Sequence, residues 1–398
     1  MRLLPAASAL GVIVFVAGPQ LAAQARPSPL RATVDLRIDK ALPALGRSPA
    51  LVVGPAGEII VAQSLGAGAI RGFDSTGRAL PWNTPTGNDR DSEIRWVSRL
   101  GWLGNTLWVA DPGFGQVALL DRAGKVTKSL EFPSWVRPSW ADRRKFPVFS
   151  SVDPLALYTD GSWLVRPTRE RSITSTPEYD KSYSYLMRIT ENGSVQKVVA
   201  RLPRDNQRIE TRFGNVFQMA GNGVPPLTLW DVSTDGSRIV VIATALTGVD
   251  SGTYRVIALG EKGDTIYTRK FPFAPVARSQ ASIDSVRSRV NRIPSGARSI
   301  EDARDAMVKD LPWAYAPIEF LVVGRDQSVW IGLRPSTTDR TWVVLDASGA
   351  SLGTLSLPKD FVVRAADRQR VWGFERDADR VTALVRYKLS AAPAATKR

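Results

Sequence analysis

GNTLWVADPGFGQVALLDRAG, from Gly104 to Gly124, contains two strand-forming runs, each followed by a turn. Leu107 to Ala110 (LWVA) is rich in β-formers, and Asp111 to Gly115 (DPGFG) is dense in turn residues. Gln116 to Asp121 (QVALLD) is a second apolar run, closed by Asp121-Arg122-Ala123-Gly124. The same pattern can be laid over other stretches of the chain, and that repetition sets the architecture.

A first copy is Leu51 to Gln63 followed by Ala69 to Gly77, and the stretch above is the second. The third joins Leu155–Pro167 to Tyr185–Gly193, and the fourth joins Leu229–Ala243 to Tyr254–Gly263. The fifth joins Phe320–Leu333 to Trp342–Gly349, and the sixth Phe361–Phe374 to Thr382–Leu389. Turns at Asp74–Gly77, Asp121–Gly124 and Asp346–Gly349 share one D-x-x-G spacing, and further short strands follow at Lys125–Phe132 and Ser351–Pro358. Four strands per unit in about six units predict an all-β, six-bladed propeller. The sixth copy runs out of chain before an outer strand. The unpaired run Ala32–Ile38 (ATVDLRI) is expected to complete that blade and hide two sheet edges.

One segment breaks the pattern. Residues 277–312 read as two helices: Ile283, Val286 and Val290 share one face, and Pro294-Ser295-Gly296 interrupts the run. Ser299 with Asp302 offers a capping box, and Ile300, Ala303, Met307 and Leu311 form a second face. Such a helical hairpin between the fourth and fifth blades suits either a lid or docking element or a strut over a blade edge. The propeller is assigned residues 26–390, with a disordered tail at 391–398.

Composition narrows the chemistry. With 43% hydrophobic and 23% charged residues in 398, the chain has the balance of a folded globular protein. Cysteine and histidine are both absent, which excludes disulfides, Ser-His-acid triads, cysteine nucleophiles and zinc sites built on those residues. Arg2, the apolar run Ala6–Ala17 and Ala23-Gln24-Ala25 have the form of a cleaved secretion signal over residues 1–25. The apolar run is too short for a membrane span, which needs about 20 residues, and the mature protein is expected to be secreted or periplasmic, with no transmembrane segment. Loss of Arg2 with that leader lowers the net charge from +15 to +14. A basic exported protein favours anionic glycans, lipid headgroups or acidic proteins; the alternative is charge spread evenly over a wet surface. Export argues against nucleic acid as a partner, and a monomer is expected.

Trp108 to Gly124 resembles the NHL repeat, whose strands flank a V-A-D-x-G core, and Gln63–Gly77 is similar to a degenerate copy of it. The whole chain looks like the six-bladed NHL-like and TolB-like propellers of exported bacterial proteins. That group includes binding scaffolds and calcium-dependent lactonases, so the resemblance implies a fold and leaves the activity open.

In propellers the innermost strands face a central channel. With the first strands aligned on their tight turns, the position eight residues earlier is Pro49, Trp96, Asp153, Thr228, Glu319 and Phe361. Asp153 and Glu319 thus share a register, and Asp111 and Asp231 fall at other inner-strand or loop positions. Converging carboxylates can hold Ca²⁺, which takes about six to eight oxygen ligands, so Asp153 and Glu319 are candidate metal ligands. The competing reading has each bonding backbone N–H groups at a turn. The lactonase resemblance implies a Glu, an Asp and two Asn, and the matching asparagines are missing.

Two further features suit an anionic ligand. Ser134–Phe149 sets Trp135 and Trp140 beside Arg137, Arg143, Arg144 and Lys145, which suits sugar stacking or an anionic polymer, or else a wet inter-blade connection. Arg166-Pro167-Thr168 and Arg334-Pro335-Ser336 recur after comparable strands, as an anion clamp or as a trace of repeat ancestry. Trp108, Trp163, Trp330 and Trp372 recur on second strands and are expected in the inter-blade core. The favoured function is a binding or scaffold module that takes a protein or anionic ligand at the channel mouth, with no catalytic residue assigned and no cofactor required. The alternatives are a Ca²⁺-dependent lactonase or esterase-like hydrolase and a cell-envelope glycan or lipid binder.

Overall fold

Apolar runs bounded by turn residues become strands in the computed structural model of this chain. It describes residues 29–39, 49–63, 70–133 apart from 83, 85, 86, 88 and 90–92, 148–170, 180, 183–203, 208–213, 216–221, 228–248, 250–289, 298–309, 311–334, 338–376 and 381–391. The leader and the tail beyond Ala391 lie outside these residues, as does 134–147 of the basic-aromatic stretch.

β1 (Leu30–Ile38) comes first in the chain and is paired last. β2 (Ala50–Val53), β3 (Ile59–Ala62) and β4 (Ile70–Phe73) form the first blade, which has three strands and an isolated bridge from Phe73 to Ala79 where a fourth would lie. β5 (Arg99–Leu103), β6 (Thr106–Asp111), β7 (Gln116–Leu120) and β8 (Val126–Glu131) form the second. β9 (Phe149–Leu157), β10 (Trp163–Glu170), β11 (Tyr183–Ile189) and β12 (Val195–Pro203) form the third, and a separate hairpin, β13 (Arg208–Phe213) with β14 (Val216–Gly221), follows it. The fourth is β15 (Thr228–Val232), β16 (Arg238–Gly248), β17 (Ser251–Gly260) and β18 (Thr265–Phe273). Next come β19 (Val276–Ala277), α1 (Gln280–Ser288), α2 (Ile300–Lys309) and β20 (Ala314–Tyr315). The fifth blade is β21 (Ile318–Val323), β22 (Val329–Leu333), β23 (Asp339–Leu345) and β24 (Ser351–Pro358). β25 (Phe361–Ala366), β26 (Arg370–Arg376) and β27 (Val381–Ala391) make the sixth, and β1 pairs antiparallel with β27 as its outer strand.

Six apolar clusters hold the blades face to face, one at each junction. The last joins Ile38, Leu51 and Phe73 to Trp372, Phe374 and Leu384, so the ring closes between the first and sixth blades. The result is a six-bladed β-propeller. Trp108, Trp163, Trp330 and Trp372 are all at most 1% exposed in these junctions, as expected from their place on second strands. The D-x-x-G turns explain themselves chemically: Asp74 Oδ1 accepts from the backbone N–H of Thr76 at 2.9 Å and of Arg78 at 3.0 Å. Asp346 Oδ1 does the same for Ser348 at 2.8 Å and Ala350 at 2.9 Å. The carboxylate therefore replaces ladder bonds that the reversing backbone cannot make.

The helical insertion is present. Ser299 Oγ accepts from Asp302 N–H at 3.0 Å, which caps α2, and Val286, Ala303 and Met307 are buried. Arg287 and Asp305 bind the helices together at 2.5 Å, and the β19–β20 ladder zips the base. α2 rests against β13, so this insertion meets the hairpin between the third and fourth blades.

Candidate functional site

The innermost strands β2, β5, β9, β15, β21 and β25 surround the ring's centre. At their hairpin ends the centre is drawn together by bonds that skip a blade. Trp102 N–H donates to Thr234 O at 3.0 Å, from the second blade to the fourth, and Arg325 Nη1 donates to Gly54 O at 2.7 Å, from the fifth to the first. The other end, where the inner strands begin, is the channel mouth.

Four charged side chains from three blades act on one another electrostatically inside the ring: Arg99 on β5, Asp153 on β9, Arg166 on β10 and Asp231 near the hairpin end of β15. Asp153 and Arg166 lie opposite each other in register, and Arg166 Nη2 reaches Asp153 Oδ2 at 2.5 Å. The same guanidinium lies 5.4 Å from the Trp230 ring centroid. Asp231 Oδ2 accepts from Val323 N–H, on the next blade, at 2.8 Å. Burial pushes the Asp231 carboxyl above its ordinary range, against the pull of Arg99 and of the Val323 and Val232 N–H groups. Burial likewise lowers the Arg99 pKa, with Asp231 and Asp153 opposing. Both side chains keep partial contact with solvent while protein crowds them from several blades, the environment of a narrow lumen. Arg99 makes no hydrogen bond among the described residues, so its guanidinium donors remain open to a ligand.

Glu319 sits on the fifth blade at a bulge in β21. Arg340 Nη2 donates to its Oε2 at 3.1 Å, and Arg334 Nε is 3.4 Å from its Oε1. Arg334 also bonds the Tyr315 hydroxyl at the base of the helical insertion, and Arg340 stacks 4.2 Å from the Phe320 centroid. Asp153 and Glu319 thus each face guanidinium groups of their own blade. Among the described residues, no three metal-ligating side chains come together.

Asp111 is fully buried and accepts from the backbone N–H groups of Arg95, Trp96, Gly113 and Phe114 at 2.7, 3.1, 2.9 and 3.4 Å. It holds the loop that presents Trp96, which is 44% exposed with Arg95 5.8 Å from its ring. The fixed eight-residue offset does not select channel-facing positions: Pro49, Thr228 and Phe361 are buried. Bulges in β9, β21 and β25 each add a residue and shift the face count. Two arginines escaped that offset, Arg99 and Arg364. A lone charge inside an apolar inner strand, as in RLGWL and FVVRAA, is the signal that marks both.

No family model matches the sequence, and no curated protein matches it. Several solved structures are similar to this chain over most of its length. A member of the DUF4221 family from Bacteroides vulgatus is 12% identical, covers 92% of this chain and 100% of its own, and superposes with a TM-score of 0.45. A Bacteroides fragilis protein described as exported gives 10% identity, 92% and 96% coverage and a TM-score of 0.42. The calcium-binding protein regucalcin from Agrobacterium tumefaciens gives 11%, 92% and 97%, with a TM-score of 0.36. These likenesses concern fold alone.

Proposed function

We propose that this protein is an exported, NHL-like propeller that acts as a binding module, taking an anionic ligand or an acidic protein segment at its channel mouth. The observation that supports it is Arg99, a permanently charged side chain set among three blades whose guanidinium has no hydrogen-bond partner among the described residues, beside the Arg166–Trp230 stack. Guanidinium groups over an aromatic face suit acidic sugars and acidic side chains, and partial enclosure strengthens each contact. Among the described residues, Asp153 and Glu319 pair with arginines and Asp231 accepts from the backbone, an arrangement that suits binding. Binding rather than catalysis is the reading.

The test is calorimetric titration of the mature protein with oligogalacturonate and with polyglutamate at rising NaCl. One of them should bind, weaken steeply with salt, and lose about tenfold or more in affinity with Arg99→Ala, a loss typical of an interface hot spot. Absence of binding by both probes would sink the reading. Export is checked separately by sequencing the mature N-terminus, expected near Arg26.

A further inference from the structure

β25 reads FVVRAA, and its one charged residue sits where the ladder breaks. Val363 pairs with Gly373 and Ala365 with Trp372, which leaves Arg364 as the bulged residue between them. Val363 and Ala365 are both buried, whereas Arg364 is exposed on the innermost strand of its blade. A bulge that re-aims one side chain is a common device beside binding sites.

The charge that acts on Arg364 is that of Arg376, at the end of β26. The Arg376 backbone N–H donates to Asp360 O at 3.2 Å, and its side-chain Nε is buried with no acceptor. Glu375, the neighbouring acid, is engaged by Arg37 at 2.8 Å. Other arginines differ: Arg166 has Asp153, Arg334 and Arg340 have Glu319, and Arg386 has Asp35. No carboxylate among the described residues pairs with Arg364 or Arg376. Two like charges crowded by protein repel, and a guanidinium cannot relieve the repulsion by losing its proton. An anion between them supplies both the missing charge and the missing acceptor.

We propose that Arg364 and Arg376 form an oxyanion subsite on the sixth blade, which takes a carboxylate or phosphate group of the ligand. It rests on the channel mouth being the binding face and adds the group recognised there. Planar forks of N–H donors match either oxyanion in bidentate fashion.

The experiment titrates full-length mature protein with inorganic phosphate and with D-glucuronate, at ionic strength held constant with NaCl, and follows heat and melting temperature. Wild type, Arg364→Gln, Arg364→Lys, Arg376→Gln and Arg99→Gln are compared, each first shown to melt cooperatively. One of the two anions should bind at a single site and raise the melting temperature. Phosphate or glucuronate as the better ligand tells a phosphate ester from a carboxylate source. Arg364→Gln and Arg376→Gln should each weaken binding about tenfold or more, and Arg364→Lys by less, as the fork is lost but the charge stays. Arg99→Gln, on a different blade, should weaken the small anion by less than Arg364→Gln does. Equal affinity in Arg364→Gln and wild type overturns the subsite. Binding lost in Arg99→Gln but kept in Arg364→Gln also overturns it, and moves the anion to the second to fourth blades with the channel mouth still the binding face. If neither small anion binds while oligogalacturonate does, the subsite fails and the broader reading stands.

Discussion

Asp231 of the fourth blade and Val323 of the fifth are tied through Asp231 Oδ2 and the Val323 N–H at 2.8 Å, a side chain standing in where two inner strands have no ladder. Leaving that donor unpaired costs about 1–3 kcal/mol. Asp231→Ala removes the acceptor, whereas Asp231→Asn keeps one, and both remove the charge facing Arg99. The alanine variant is therefore expected to be less stable than the asparagine variant by about 1 kcal/mol, read from urea midpoints. Equal midpoints would show that the bond does not link the blades.

Gln327 has a φ of 65°, in a turn where the corresponding residues Gly57, Gly104, Gly161 and Gly236 are glycine. Its side chain explains the exception: Gln327 Oε1 accepts from Arg238 Nη2 at 2.6 Å, across the junction of the fourth and fifth blades. Gln327→Gly relieves about 1 kcal/mol of backbone strain but loses a bond to a charged donor, worth about 1.5–3 kcal/mol. The bond should win, so the glycine variant is expected to melt lower. Gln327→Ala, which keeps the strain and loses the bond, should melt lower still. A glycine variant more stable than wild type would refute the account.

What could be read from the sequence was what is encoded locally. Apolar runs with Asp-x-x-Gly turns repeat within short windows, and the unpaired Ala32–Ile38 had one place to go, so blade number and closure were legible. The β13–β14 hairpin lies outside the repeats, and only the turn signal Phe213-Gly214-Asn215-Val216 marks it in the sequence. The site was less legible for a geometric reason. One bulge inverts which face a residue occupies, so equal spacing placed Phe361 in the channel, when it is buried between blades, and passed over Arg364. Which arginine meets Asp153 or Glu319 depends on strand register, and sequence spacing carries little of it.

Arg386 Nε meets Asp35 at 2.8 Å, and its Nη1 donates to Ser75 O at 2.7 Å, so one buried guanidinium joins β27, β1 and the first blade. Removing the guanidinium deletes two hydrogen bonds from a charged donor, each worth about 1.5–3 kcal/mol, while Asp35 is left exposed beside Arg370. Arg386→Ala should lower stability by that order, and deletion of 29–38 should expose the β27 edge and lead to aggregation. Light scattering together with a urea melt distinguishes these outcomes. A monomeric deletion variant with an unchanged midpoint would mean that β1 is not the closing strand.

Asp153 and Glu319 bear directly on calcium. Each is already neutralised by arginine, at 2.5 Å for Asp153 and at 3.1 and 3.4 Å for Glu319. A divalent ion would have to break those pairs and approach guanidinium charges. Excess Ca²⁺ after EDTA treatment is therefore expected to leave the melting temperature within about a degree. A rise of several degrees that vanishes in Asp153→Asn/Glu319→Gln would replace this view with a metal site.

Acid should act on the fold through opposed groups. The Asp74 carboxyl is held down from 3.8 to about 2, chiefly by the Thr76 hydroxyl, and Asp160 is lowered by the Ser162 hydroxyl and N–H. Burial raises Asp346, but its Ser348 and Ala350 bonds outweigh that and the net shift is downward. A lowered folded-state pKa gives stability that is complete above 3.8 and lost as pH falls through the folded value. Asp231 is raised, so its contribution is complete below 3.8 and lost as pH rises through its folded value. The melting temperature is thus expected to rise as pH falls through the folded value of Asp231, then drop below about 3.8 as the turn aspartates protonate. Asp231→Asn should flatten the rise and leave the acid drop in place, whereas Asp346→Asn should shrink the drop. A rise that persists unchanged in Asp231→Asn would assign it to another group.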